Sequence, residues 1–230
     1  KLPFTPNTGE PGTGTGNVTS TVQVSQGGYF YWPGLWLDAV LKPTKGLEVV
    51  PGARLDFYRG YTDGEAGVQR FDQTASPRLS LKYQLDQRWT LLGAAGFTSQ
   101  LPEPQQLGSQ VGNPKLKAIR GFESSLGVRW QPTDAVQLDL QAFDKHLWNL
   151  VVANREWPAK GAPYTNDGEG HVRGLELLAR HRPIGPFFGW LSYTLQKASR
   201  VDHPGEAERL FGWDQTHIFT AVTSFKLPRN

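Results

Sequence analysis

"GNPKLKAIRGFESSLGVRWQPTDAVQLDLQAF", residues 112–143, passes from Asn-Pro and a basic, polar run into two segments joined by Pro132-Thr133-Asp134. In the first segment Phe122, Leu126, Val128 and Trp130 fall on one side, opposed by Glu123, Ser125, Arg129 and Gln131. A period of two is the signature of a β-strand, in which residues i and i+2 line one face of the sheet. The result is a sheet with one apolar face and one charged face. A soluble sandwich would bury the apolar face in a core, and a barrel in a bilayer would turn it to lipid. Both give the same alternation, so periodicity alone leaves the two open.

The same pattern extends outward in both directions. Runs at 29–42, 47–59, 76–85, 88–98, 119–131, 135–150, 170–182, 187–198 and 214–227 read as about nine strands. In "SPRLSLKYQL" Pro77, Leu79, Leu81, Tyr83 and Leu85 oppose Arg78, Ser80, Lys82 and Gln84; in "GLELLARH" Leu175, Leu177 and Ala179 oppose Glu176 and Arg180. No stretch holds a helical period. The connections alternate in length. Residues 42–46, 86–88, 131–135 and 182–186 are short turns, whereas 60–75, 99–118, 152–169 and 199–213 are long and polar. Tight turns on one rim and long loops on the other are the layout of an outer-membrane β-barrel. This asymmetry favours lipid over a soluble core. It predicts Leu79, Leu81, Leu126, Val128, Leu175 and Leu177 facing outward.

Composition agrees. Apolar residues make up 38% of the 230, yet aromatics reach 12% and there are 26 Gly; few aliphatics with many aromatics and glycines suit a sheet wet on one side. The net charge of +3 is mild and scattered, which gives no basis for nucleic-acid binding. With no Cys there is neither a disulfide nor a thiolate metal site nor a Cys nucleophile. With no Met, residue 1 reads as a processed or cut end. No apolar run approaches the roughly 18–20 residues of a membrane helix, so any crossing is by strands.

Residues 1–28, rich in Gly, Thr, Pro and Asn, read as a loop or flexible arm, and 29–230 as the sheet. "GTGTG" lacks the Lys-Ser/Thr and the helix of a phosphate loop. Tyr31, Trp32, Phe57, Tyr58, Trp89, Phe97, Trp130 and Trp148 lie near strand ends, the place of interfacial girdles. Pro51 is out of character, because a barrel strand has no free edge to hide a missing donor; a bulge or a rim position would accommodate it. The five His show no metal-ligand spacing, and no GxSxG places a nucleophile. Asp139 with Asp144 and Asp167 with Glu169 read as luminal or loop charges. We expect no catalytic residues, no metal and no cofactor.

Four stretches carry a family resemblance: "ASPRLSLKYQLDQRWTLLGAAGFTSQLPEPQQL", "GNPKLKAIRGFESSLGVRW", "YTNDGEGHVRGLELLARHRP" and "FGWDQTHIFTAVTSFKLP". In this order and spacing they resemble successive barrel strands of TonB-dependent outer-membrane receptors. Ala118-Ile119 departs from the Pro-Glu usual after "NPKLK", though Glu123 keeps the later acid. The resemblance implies an all-β fold: a section of about nine antiparallel strands from a barrel of about twenty-two, in the bacterial outer membrane. It also implies partners that this sequence does not contain: the remaining strands, an N-terminal plug domain, and the TonB system acting through the plug. Outer-membrane lipid is the fourth partner. The implied function is import of a scarce bulky nutrient such as a ferric siderophore, cobalamin or oligosaccharide. The alternative is a barrel of the same ancestry serving as a structural or surface component of an outer-membrane complex; a small complete barrel or soluble β-binding module is the reading from another class.

For binding, loop aromatics and polar groups are the candidates, since exposed aromatics are costly unless they pack or bind. They are Tyr61, Arg70, Phe71, Trp157, Tyr164, Asn166 and Trp213, with Gln105 and Gln106 beside them. Arg54, Arg78, Lys82, Glu123, Arg129, Glu176 and Arg180 are expected on the inner face, toward the plug.

Overall fold

The computed structural model describes residues 28–62, 69–108 and 112–227, so the expected arm at 1–28 lies almost wholly outside the described residues. One antiparallel sheet takes nine passes of the chain among them. The first pass is broken into β1 (Gly28–Tyr31), β2 (Gly34–Asp38) and β3 (Leu41–Thr44), all paired with β4 (Leu47–Thr62). There follow β5 (Gln69–Gln84), β6 (Trp89–Gln100), a single helical turn α1 (Pro104–Leu107) and β7 (Ile119–Trp130). Then come β8 (Val136–Ala153), β9 (Tyr164–His181), β10 (Phe187–Val201), β11 (Arg209–Leu210) and β12 (His217–Phe225). Spatial order follows chain order, with β11 and β12 both on the far side of β10. Among the described residues no ladder joins the first pass to β12, so the sheet is open at both edges.

The register sorts the side chains into the two faces expected from the sequence. One row runs Val49–Leu81–Gly93–Leu126–Ala142–Leu175–Leu195, and the next Tyr83–Leu91–Val128–Leu140–Leu177–Tyr193–Phe219. Leu126 is 75% exposed, and Leu79, Leu81, Leu175 and Leu177 are exposed with it. An apolar face of this extent requires a non-aqueous cover. The opposite face is laced with ion pairs: Arg54–Asp56 at 2.7 Å, Arg78–Asp38 at 2.6 Å, Arg129–Asp139 at 2.8 Å and Lys145–Glu123 at 2.5 Å. Every one of these links residues of the wall itself. Side-by-side carboxylate and guanidinium groups let a polar sheet face shed its charge without a core.

Aromatics mark both ends of the apolar face. Trp89 and Trp130 stack at 5.5 Å beside the short turns, and Phe97 packs on Phe122 at 5.0 Å and edge-on to Trp148 at 6.4 Å toward the loops. Trp32 and Tyr58 do not join this girdle. They contact each other at 4.6 Å, and the Trp32 indole N–H donates to Asp56 on the ion-paired face, because the chain leaves its ladder between β1 and β2.

Pro51 has its explanation in the broken first pass. The N–H and C=O of a strand residue point the same way, and the Pro51 carbonyl accepts from Ala39 N–H at 3.0 Å. The donor Pro51 lacks would therefore face Ala39-Val40, where β2 has ended and β3 has not begun. At the first turn Gly46 has φ +83°, and its carbonyl accepts from Gln84 N–H at 2.8 Å; a Cβ there would lie 2.7 Å from the Gln84 carbonyl oxygen.

The strands run further toward the loops than the alternation indicated. β5 begins at 69 instead of 76 and β9 at 164 instead of 170. Those extensions, "QRFDQTA" and "YTNDGE", lack an apolar face, having no lipid to meet. The helical turn α1 was likewise unmarked by any period, being too short to show one.

Candidate functional site

Three connections at the loop end fold onto one another. The stretch 101–118 carries α1, whose start is held by a capping box: Glu103 N–H donates to the Gln106 side-chain oxygen at 3.0 Å. Leu107 and Leu116 bury against Val151 and Tyr164, with Ile119 packed alongside, forming a small core outside the span. Leu116 is 1% exposed and Tyr164 6%.

Amide side chains strap this core. Asn113 Nδ2 donates to the Tyr164 carbonyl at 2.7 Å. Asn166 Oδ1 accepts from Lys117 N–H at 2.6 Å, and its Nδ2 donates to the carbonyls of Lys117 at 3.2 Å and Asn149 at 2.8 Å. One Asn side chain thus stands in for a strand partner. Asn149 has φ +58° inside a register shift of β8, a backbone state Asn tolerates better than most residues.

The connection between β8 and β9 is shaped by Asn154, whose amide N–H group donates to the Lys160 carbonyl at 2.9 Å and the Ala162 carbonyl at 2.8 Å. Arg155 reaches across to Glu206, tying this loop to the one after β10. In that last loop Asp202 sits between Arg209, at 2.7 Å, and Arg200, at 2.8 Å. Burial works to raise the Asp202 carboxyl, but the hydrogen bond from Arg209 and the charges of Arg200 and Arg209 outweigh it, holding the group below its ordinary value. Arg200 is itself buried and lies 6.0 Å from the centroid of the Phe211 ring.

Between β11 and β12 the chain bulges away from β10. Asp214 replaces a main-chain acceptor there, taking the Ala198 N–H on its carboxylate at 2.7 Å. The bulge presents Trp213, 63% exposed. Beneath it lies a cavity of about 490 Å³, between α1 and the upper ends of β8–β10, with Leu150 as floor and Gln106, Arg200, Phe211 and Trp213 in its walls. Few polar groups converging on an apolar concavity is the common form of a binding site.

The sequence candidates therefore part company. Trp213 and Gln106 line this cavity; Trp157 is half-buried in the neighbouring loop; Gln105 is exposed. Tyr164 is sealed in the small core, and Asn166 spends its amide on the main chain. Tyr61, Arg70 and Phe71 stand on the ends of β4 and β5, and their side chains lie outside the described residues. Arg200 and Phe211 had not been singled out. The only signal for them was the aromatic cluster "FGWD" and the charge alternation Arg200-Val201-Asp202. Among the described residues no group of three His, Asp or Glu could hold a metal ion.

An open antiparallel meander with a lipid-type face, an ion-paired face and loops gathered at one end is a section of a transmembrane barrel wall. The sequence matches the family of TonB dependent receptor-like β-barrels over residues 3–219, and the chain belongs to that family. Family members are receptors and transporters of the outer membrane, not enzymes. The fold is similar to the ferric-catecholate import receptor Fiu from K12 E. coli (TM-score 0.69, 18% identity, 87% of this chain and 32% of that one). It is similar also to the alcaligin outer membrane receptor FauA from Bordetella pertussis (0.67, 15%, 89% and 36%) and the ferric yersiniabactin uptake receptor FyuA from Yersinia pestis (0.63, 15%, 86% and 32%). The chain spans about a third of the length of each of these receptors. No curated protein sequence matches it.

Proposed function

We propose that this chain is part of the wall of an outer-membrane transporter that imports a ferric siderophore or a comparably bulky nutrient. The observation that carries the reading is the cavity under Trp213, at the loop end of a wall that belongs to this receptor family. The loops would face outside. Ligand would be captured by Trp213 and Phe211 with Arg200 and Gln106 as polar groups, and Trp157 on the neighbouring loop would guard the approach. Tyr61, Arg70 and Phe71 would extend this surface across the mouth. The paired charges of the inner face, Arg54 with Asp56 and Arg129 with Asp139 among them, would face a plug domain, through which the TonB system would drive release. Two of the three similar receptors are named for ferric ligands, a ferric catecholate and ferric yersiniabactin, which supports a ferric chelate over cobalamin or an oligosaccharide.

The test is uptake of a panel of labelled ferric chelates by cells carrying or lacking the gene, with and without TonB. Uptake of at least one chelate should require both. In the positive case Trp213→Ala should weaken capture by about ten- to a hundredfold, the range of one buried aromatic contact, and leave barrel assembly intact. Uptake that is indifferent to the gene or to TonB would refute the transporter reading and favour a structural role in the envelope.

A further inference from the structure

The charges in the walls of the cavity under Trp213 limit what can enter it. Those walls carry three titratable side chains, Arg200, His171 and Glu103. Arg200 is held by Asp202 at 2.8 Å, and Asp202 is shared with Arg209. His171 meets Asp144 at 2.7 Å. Ser199, also in the wall, donates its hydroxyl to Glu208. Glu103 has no ion-pair partner among the described residues, and it is exposed at the start of α1. The unopposed charge at the cavity is therefore negative.

The rest of the lining is apolar or neutral, with Leu147, Leu150, Val172, Phe211 and Trp213 around the amide of Gln106. A multiply charged anion entering here would give up its water without gaining an unopposed cation, and a charge desolvated without a partner is expensive. It would also approach the Glu103 carboxylate. A neutral ligand meets neither obstacle, and the apolar walls favour it. Ferric chelates differ in just this respect. Three bidentate groups of single negative charge, such as hydroxamates, cancel the charge of the ferric ion. Three catecholates, each doubly charged, leave three negative charges over.

We infer that this cavity selects a ferric chelate of zero net charge, of the tris-hydroxamate type, over a trianionic tris-catecholate. A space of about 490 Å³ seats one face of such a complex, its hydrocarbon against Phe211 and Trp213 and its neutral polar groups toward Gln106. Arg200 does not draw in an anion, because its charge is already spent on Asp202. The inference rests on the transporter reading and adds to it the charge of the ligand.

The full receptor, in neutral detergent, is titrated by calorimetry with a hexadentate ferric tris-hydroxamate of zero net charge and with a hexadentate ferric tris-catecholate. The neutral complex should bind at least about tenfold more tightly. Glu103→Gln should raise the affinity for the trianion about three- to tenfold and so narrow the preference. That is the repulsion of one carboxylate on three charges about 8 Å away in water, eased by salt. High salt should narrow the preference in the same direction. Glu156→Gln removes an acid of the neighbouring loop that is paired with Lys160, and should leave the ratio where it was. A trianion bound as tightly as the neutral complex, a ratio unmoved by Glu103→Gln, or binding of neither complex would overturn the inference. Uptake separates it from the reading on which it rests. TonB-dependent uptake of the trianion alone overturns the charge selection and leaves the transporter standing, whereas no uptake of any chelate refutes the transporter itself.

Discussion

Arginine at position 126 separates the two faces of the sheet most sharply. Leu126 lies midway on β7 between Phe122 and Trp130, four residues from each on the same face, and both are aromatics at the ends of the apolar band. Four residues span about 13 Å along the strand and roughly 10 Å of height at a 40° tilt, which places Leu126 near the midplane of a band about 25 Å tall. Leu126→Arg should cost about 2–4 kcal/mol relative to Leu126→Ala, the depth-dependent penalty for a cation at that level. That is a factor of roughly 30 to 900 in the folding equilibrium at RT near 0.59 kcal/mol. Ser125→Arg adds the same charge one residue away, on the face already lined by Arg129–Asp139 and Lys145–Glu123, and should cost less than about 1 kcal/mol. Trp130→Arg, at the interface, should fall between them. The assay is reversible denaturant unfolding of the intact barrel in lipid vesicles, read by tryptophan fluorescence and by heat-modifiable gel mobility. Equal costs at 125 and 126 would refute the lipid-facing assignment, and a larger cost at 125 would invert it.

Three other outcomes follow from the loop end. Leu116→Ala should destabilise the small core by about 2–5 kcal/mol, as for other buried large-to-small changes, speeding hydrogen exchange in 101–118 while leaving β6 and β7 protected. Asn166→Ala removes the acceptor for Lys117 and the donor to Asn149 and Lys117, so limited proteolysis should cut near residue 117 in the variant and spare the wild type. Asp202 has a lowered carboxyl pKa, so its contribution to stability is present above the ordinary value of 3.8 and is lost as pH falls below it; the loop after β10 should hold its exchange protection down to about pH 4 and lose it further down, and Asp202→Asn should abolish that pH dependence.

The wall was legible because lipid imposes a strict rule on it. Within the bilayer each alternate residue must be apolar, so Leu79, Leu81, Leu126 and Leu175 announce their face in one dimension. The rule stops at the edge of the membrane. In "YTNDGEG" β9 continues beyond the membrane without any apolar stripe, and its pairing with β8 breaks register at Asn166 and Asp167, which is why the alternation marks the strand only from residue 170. The candidate site was less legible still. Tyr164 and Trp213 look alike in the sequence, both aromatic and both in a polar connection. What separates them is their partner: Tyr164 meets Leu107, Leu116 and Val151, none of which is near it in the chain, whereas Trp213 sits on a bulge whose Asp214 has taken over a main-chain hydrogen bond.

The two regions solve the problem of stability by different means, and this governs where function can reside. Between the girdles the bilayer is the core, so the outward leucines need only be apolar and the inward charges need only pair. Neither demand leaves a side chain free to recognise a ligand. Beyond the girdles no lipid covers the chain, and the loops build their own interior from Leu107, Leu116, Val151 and Tyr164, tied by Asn113, Asn166 and the Arg200–Asp202–Arg209 cluster. A loop so anchored can hold a cavity open and present Trp213 above it without collapsing onto the wall. Exchange of the anchors for residues of the same size, Asn113→Leu or Asp202→Asn, should therefore loosen ligand capture through Trp213 even though neither residue lines the cavity, while the melting of the barrel wall stays where it was. If capture instead tracks wall stability across these variants, the loops are passengers of the barrel and the cavity under Trp213 is not the place where ligand is held.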